Sequence, residues 1–241
     1  MRHIDLEAEI EFGDHTALNS AMRKTQDKYY WATRIEIQRH NRKTFEIIKL
    51  KNILEIGCSI GNDAKFYTKF CSKYCGIDIS NAAIKKAESL NLNASEFLCA
   101  DGHQIPRENE EFDCVIVNSV LHHLDLEQAF KEIKRVLKPD GYLIFREPLG
   151  TNPLFQLYRK LTPNTRTPDE RPFNFEDLAL MKSFFKFEEI HFFGFFTIFS
   201  GFIRFKFIQK ILNNIDFYLS KTPLKYLFWQ FSGLAKKKSK I

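Results

Sequence analysis

The chain of 241 residues is short of several things. Cysteine is sparse: five residues (58, 71, 75, 99 and 114), scattered and odd in number. That argues against a disulfide framework, and Cys71 and Cys75 lack the paired spacing of a zinc site. Reduced, buried thiols in a cytoplasmic protein are expected instead. No cluster of ligands at metal spacing is apparent, so no metal is expected. The first fifteen residues are charged and polar, which is not how a secretory leader opens. The net charge is +6, yet no basic block falls in the first two-thirds, so nucleic-acid binding is not expected. The apolar run FFGFFTIFSGFI at 192–203 is too short to cross a bilayer. Two nucleotide fingerprints are missing as well. G-x-G-x-x-G fails because Ser59 stands at its second glycine. The phosphate loop fails because Gly57 and Gly61 are four apart with no Lys-Ser after them.

What is present centres on Asn52 to Lys65, NILEIGCSIGNDAK. Ile53, Leu54 and Ile56 form a short apolar run with Glu55 set into it. Gly57, Cys58, Ser59, Ile60 and Gly61 follow, and then a helical pattern. This is strand, glycine turn, helix. Glycine permits the tight turn and a close approach at the helix start, where free N–H groups attract polar or anionic ligand groups. Glu55 two residues before Gly57 suits an ammonium or a sulfonium, and would repel a pyrophosphate.

The pattern acidic-x-Gly-x-x-x-Gly resembles that of the class I S-adenosylmethionine-dependent methyltransferases. The resemblance implies that Glu55 and the loop Gly57, Cys58, Ser59 and Gly61 hold the methionine part of S-adenosyl-L-methionine; the family often has a third glycine where this chain has Ser59. Asp78, 21 residues after Gly57, ends the second strand with Ile79 beside it. A carboxylate there can accept from both ribose hydroxyls, a device that NAD enzymes share. Asp101-Gly102 follows strand three. In the family an acidic residue at that place bonds the adenine amino group; on its own the pair is also an ordinary turn. The run FDCVIVNSVLHHL, then FKEIKRVLKPDGYLIFRE, is similar to the family's second half. It puts Asn118 against the cofactor methionine or the acceptor. His122 or His123 could take a proton from an acceptor hydroxyl. Two adjacent side chains do not easily both face a cleft, so at least one of the two is expected to be structural, and the catalytic role is placed on His122. Glu147, at the end of strand five, either serves the acceptor or pairs with Arg146 or Arg171.

The organisation follows. Strands are expected at about 52–56, 74–79, 97–100, 113–117, 142–146, 185–193 and 226–234, the last antiparallel. Helices are expected at about 62–71, 80–90, 125–137 and 175–183, with Lys138-Pro139-Asp140-Gly141 as a helix stop and turn. The fold class is a single α/β domain: a doubly wound, Rossmann-like, seven-stranded and mostly parallel sheet. Residues 1–50 form an N-terminal helical lid with an aromatic knot at Tyr29, Tyr30 and Trp31. Residues 51–147 form the cofactor-binding core. The connection 148–173, rich in proline and holding Arg159, Arg166, Arg171, Asp169 and Glu170, walls the acceptor pocket. Residues 174–241 close the sheet around a phenylalanine-rich helical insertion at 194–223; 17 of the 25 phenylalanines lie after residue 150. Lys206, Lys210 and Lys221 in the insertion, with Lys236, Lys237, Lys238 and Lys240, fit contact with a membrane surface; a cap over the pocket or a dimer face competes. The expected activity is methyl transfer to a small-molecule, glycan or lipid-like acceptor, at a hydroxyl. The rivals are a nicotinamide oxidoreductase and a non-catalytic scaffold of the same fold.

Overall fold

The computed structural model describes residues 4–18, 21–49, 51–162, 167 and 170–238; Arg166, Asp169 and Lys240 lie outside these, as do the side chains of Tyr29 and Tyr30. Seven strands form one sheet in the order β3-β2-β1-β4-β5-β7-β6. They are β1 (Asn52–Ile56), β2 (Lys73–Asp78), β3 (Ser95–Cys99), β4 (Phe112–Asn118), β5 (Leu137–Pro148), β6 (Phe185–Phe193) and β7 (Gln230–Lys237). The first five are parallel, while β7 runs antiparallel to both β5 and β6. The order reverses direction between β1 and β4, which opens a crevice at their carboxyl ends.

The central strands β1, β2 and β4 are buried on both faces, and their side chains alternate between two packed layers. Leu54, Ile56, Val115 and Val117 face the layer that holds Phe130, Phe145, Phe173 and Phe231. Ile53, Cys114 and Ile116 face the layer that holds Ile48, Tyr67, Tyr74 and Phe97. In α5 (Leu126–Val136), Leu126, Ala129, Phe130, Ile133 and Val136 form the buried stripe that covers the first layer, and Asp125 caps the helix by accepting from Gln128 N at 3.1 Å. Two N-terminal helices, α1 (Leu6–Leu18) and α2 (Ala21–Ile48), precede the sheet. On the crossovers are α3 (Ala64–Tyr67) and α4 (Asn81–Glu88).

Four expectations change. The helix after the glycine turn is one turn long, not ten residues. Strand five begins at Leu137 and absorbs the 138–141 turn, and strand seven starts at Gln230 rather than 226. The connection 148–173 is not all loop: it contains α6 (Pro153–Leu161), with Asn152 accepting from Leu154 N and Phe155 N and Pro153 in the first turn. After α7 (Phe175–Phe184) and β6 comes the insertion, with α8 (Ser200–Ile203) and α9 (Lys206–Leu219).

The insertion leaves and rejoins the sheet at one edge. Phe193 pairs with Gln230, and Gln230 pairs with Pro148, so the insertion rises where β5 ends. The lysines at the end of β7 do not join it. Lys236 pairs with Tyr142, and Lys237 Nζ donates to Leu137 O at 2.6 Å, at the start of β5. An eight-residue strand spans roughly 25 Å, so these lysines stand at the opposite edge of the sheet.

Candidate active site

Five strand ends line up along the crevice. Ile56 pairs with both Ile77 and Val117, Asp78 pairs with Cys99, and Asn118 pairs with Arg146. Asp101, Asp78, Gly57, Asn118 and Glu147 therefore follow one another along the carboxyl edge, from β3 to β5.

The glycine turn is built tightly. Gly57 N and Cys58 N both donate to Ile77 O, at 2.8 and 3.0 Å, and Gly61 N donates to Cys58 O. Gly57, Ser59 and Gly61 all have left-handed φ, +76°, +49° and +72°. A β-carbon on Gly57 would stand 2.2 Å from a methyl of Val120, so this turn and the β4 loop touch. Cys58 is buried beneath the turn, its thiol pushed up by burial. Asp78 accepts from Ser59 N at 2.8 Å and Ser80 N at 2.9 Å. Burial raises its pKa, those amides oppose the rise, and Asp14 adds to it. Ser80, expected to cap the next helix, does so by accepting from Ala83 N at 3.0 Å. Ile79 is half-buried beside Asp78, and its carbonyl faces the Cys99 thiol.

Asp101 is turned toward its own loop. Its Oδ1 accepts from His103 N and meets His103 Nδ1 at 2.7 Å, while His103 Nε2 accepts from Asp125 N at 2.8 Å. Burial works against the Asp101 charge, but the His103 bonds outweigh it, and its pKa is lowered. Gly102 is buried; a β-carbon there would press on Leu124 and Ile56. Asn118 Nδ2 donates to the Tyr67 hydroxyl at 3.3 Å, and its Oδ1 is buried on the side of His40, whose ring it supports.

Glu55 is buried near the end of β1. It is 3% exposed, and its Oε2 accepts from the Tyr74 hydroxyl at 2.5 Å. Burial first, then the charge of Asp63, pushes its pKa up to about 8. The folded chain therefore holds this proton more tightly than the unfolded chain, where the pKa is about 4.5. Stability is unaffected below the lower value, falls as pH rises between the two, and carries the whole cost above pH 8. Glu55→Gln keeps an acceptor for Tyr74 and removes the charge. It is expected to raise the melting temperature at pH 9 by several degrees, a gain of a few kcal/mol, and to leave it unchanged at pH 5. An equal shift at both pH values would contradict the assignment.

At the far end of the edge, Glu147 is fully buried. Its Oε1 accepts from Val120 N and Leu121 N, both at 3.0 Å, and its Oε2 meets His122 Nδ1 at 2.6 Å. Burial raises its pKa to about 7 against the pull of those amides. His122 is held well below the usual histidine range, by burial first and then by the charge of His123. Glu147 thus pairs with His122; Arg171 instead bonds Asp177 through both guanidinium arms. A single 3-10 turn, Leu121–His123, brings the rings of His122 and His123 to 4.2 Å between centroids.

Glu9, which local sequence did not mark, and Arg159 and Glu170 of the 148–173 connection complete this end. Glu9 of α1 bonds His123 Nδ1 at 3.0 Å and accepts from Thr167 Oγ1 at 2.6 Å. Glu170 Oε2 lies 4.0 Å from His123 Nε2, and Arg159 of α6 bonds Glu170 Oε1 at 2.7 Å. Burial opposes the charge of His123, and Glu9 outweighs it, so the His123 pKa is raised. Asp14, also on α1, bonds Ser80 Oγ and accepts from Ala82 N at 3.2 Å. The N-terminal lid thus spans the edge from β2 to the β4 loop, fastened at both ends.

The chain is similar to known proteins in the same terms. A family model described as a methyltransferase domain matches residues 54–145. Phthiotriol/phenolphthiotriol dimycocerosates methyltransferase 1 of Mycobacterium ulcerans is 30% identical over 117 residues, 47% of this chain and 43% of that one. The chain thus spans less than half the length of that relative. A crystal structure of a SAM-dependent methyltransferase from Aquifex aeolicus matches with a TM-score of 0.59 at 15% identity, over 91% of this chain and 98% of that one. Geranyl diphosphate C-methyltransferase of Streptomyces coelicolor, solved with Mg2+, geranyl diphosphate and S-adenosyl-L-homocysteine, matches with a TM-score of 0.64 at 13% identity, over 85% and 80%. Residues 54–145 thus match a methyltransferase domain, and the strand order sets that stretch in the Rossmann-like fold of the solved structures it resembles.

Proposed function

We propose that this protein transfers a methyl group from S-adenosyl-L-methionine to a hydroxyl of a lipid-like acceptor. The observation that carries the reading is the single carboxyl edge shared by Asp101, Asp78, the glycine turn, Asn118 and Glu147. Bound there, the cofactor supplies an electrophilic methyl on a sulfonium. Asp78 takes the ribose hydroxyls, with the strand-three end at Asp101 and Gly102 beside the purine. Asn118, at the end of β4 beside the glycine turn, lies at the methionine part. Glu55, under the turn, contributes negative potential toward that positive group without touching it. A cation above the turn draws its raised pKa down.

The acceptor oxygen stands against His122. Glu147 holds Nδ1 of that ring, which fixes its orientation, and His122 takes the hydroxyl proton as the oxygen bonds the methyl. The electron pair of the broken carbon–sulfur bond stays on sulfur. The lid, fastened by Glu9 and Asp14, keeps water from the reacting atoms.

The lipid-like acceptor and a peripheral membrane contact rest on the insertion. In α9 the polar stripe is the buried one: Gln209, Asn213 and Asp216. Gln209 bonds Arg34 and the carbonyls of Trp31 and Ala32, Asn213 bonds Glu36, and Asp216 accepts from Phe195 N, Phe196 N and Thr197 N. This turns Phe207, Ile211, Ile215 and Tyr218 outward, beside exposed Phe199, Phe202 and Phe205. An exposed aromatic face bordered by Lys206 and Lys210 suits an anionic bilayer surface. Among the described residues no helix is long and apolar enough to cross a membrane, so the contact is superficial. The face stands at the strand edge that carries the site. Incubation with methyl-labelled S-adenosylmethionine and anionic phospholipid vesicles carrying a bacterial lipid extract tests both parts. Label should enter the organic phase and the chain should sediment with the vesicles. Phe202→Asp with Phe205→Asp should reduce both by about tenfold or more. Absence of label in any lipid would overturn the acceptor class, and unchanged sedimentation of the variant would overturn the contact.

A further inference from the structure

The β4 loop and the segment after α6 bring three ligand-type side chains together. His122, His123 and Glu170 each place a ring nitrogen or carboxylate oxygen so that all three lie within 4.8 Å of one another. Their chain positions, two adjacent and one 47 residues on, match no ligand spacing readable in sequence.

What sets the cluster apart from a chance meeting of charges is how each member is held. His122 has Nδ1 against Glu147 at 2.6 Å, and His123 has Nδ1 against Glu9 at 3.0 Å. A carboxylate on one ring nitrogen is the usual support of a histidine that binds metal through the other; it fixes the ring and makes the ligating nitrogen more basic. Glu170 is steadied too, by Arg159 on Oε1 at 2.7 Å and on its own carbonyl at 2.8 Å. Its Oε2 is the oxygen nearer His123 Nε2, at 4.0 Å. Metal–ligand bonds of about 2.0–2.2 Å put the ligand atoms of a tetrahedral ion roughly 3.3 Å apart. The cluster therefore has to contract by up to about 1.5 Å, a movement on the scale of side-chain adjustment. Two imidazoles and one carboxylate favour zinc, iron, cobalt or manganese over calcium or magnesium.

We propose that His122, His123 and Glu170 bind a divalent first-row transition-metal ion of the zinc class at the acceptor end of the cleft. The site itself does not depend on the proposed methyl transfer; only its use does. With the ion in place His122 would be a ligand oriented by Glu147 and could not take the acceptor proton, so its role as base belongs to the metal-free chain.

The test uses the untagged full chain, stripped with a chelator, freed of it and dialysed against Zn2+, with bound metal counted by elemental analysis. About one zinc per chain is expected. Glu170→Gln and His123→Gln should each weaken binding by roughly 100-fold or more, and Glu9→Gln, which removes only a support, by about 10- to 100-fold. Circular dichroism identifies any variant that fails to fold. The wild-type chain loaded with Co2+ gives an independent readout, since imidazole ligation changes the visible spectrum from that of the hydrated ion. A hydrated-ion spectrum, or zinc retained equally by Glu170→Gln and His123→Gln, would overturn the site. S-adenosylhomocysteine binding, measured on the same samples, reports separately on the methyl-transfer reading.

Discussion

His122→Ala is expected to lower turnover by about two to four orders of magnitude while leaving the affinity for S-adenosylhomocysteine within a few-fold of wild type. The size is what loss of a positioned proton acceptor costs, about 3–5 kcal/mol in the barrier. Several features localise the effect. His122 lies at the β4–β5 end of the edge, beyond Asn118 from the glycine turn. Its partner Glu147 carries a pKa already raised to about 7, so it can take up a proton when the ring is removed and need not remain a bare buried charge. His122→Gln separates chemistry from folding, since its amide can still donate to Glu147 but cannot accept the substrate proton. Both variants should lose turnover together. A glutamine variant with near wild-type turnover would mean that the ring only orders the loop, and a loss of cofactor affinity equal to the loss of rate would mean the same.

Asp78→Ala should weaken S-adenosylhomocysteine binding by about two to four orders of magnitude. Two hydrogen bonds from ribose hydroxyls to an ionised carboxylate contribute about 1.5–3 kcal/mol each, and about 1.4 kcal/mol corresponds to a factor of ten. The same carboxylate also holds Ser59 N and Ser80 N, so its loss loosens the glycine turn from below. Asp78→Asn keeps one acceptor oxygen and should fall between wild type and alanine. Equal binding by all three would remove Asp78 from the site.

Much of this edge could be read from the chain before its fold was known. Parallel strands buried on both faces appear as apolar runs, and β1, β2 and β4 fall within a residue of their expected limits. Gly57, Asp78 and Asp101 follow because each ends or follows such a run. The expectations that failed did so for physical reasons. The 148–173 connection holds five prolines and looks irregular, yet Pro153 behind Asn152 is a helix start. In α9 the periodicity identifies two faces but not which one is buried; that is decided by α2, whose Glu36, Arg34 and backbone carbonyls satisfy the polar stripe. Lys236 and Lys237 looked like partners of the insertion because they are close in sequence, but the direction of β7 carries them to the other edge. Glu9 had no local signal, since it reaches His123 across 114 residues.

The central claim is that the carboxyl edge of β1–β4 is a cleft for an amino-acid–ribose–purine molecule. Calorimetric titration of the full chain with S-adenosylhomocysteine, and in parallel with NADH, tests it most directly. One saturable site for the thioether and no heat from the dinucleotide is the predicted result; saturable NADH binding with none for S-adenosylhomocysteine would contradict it.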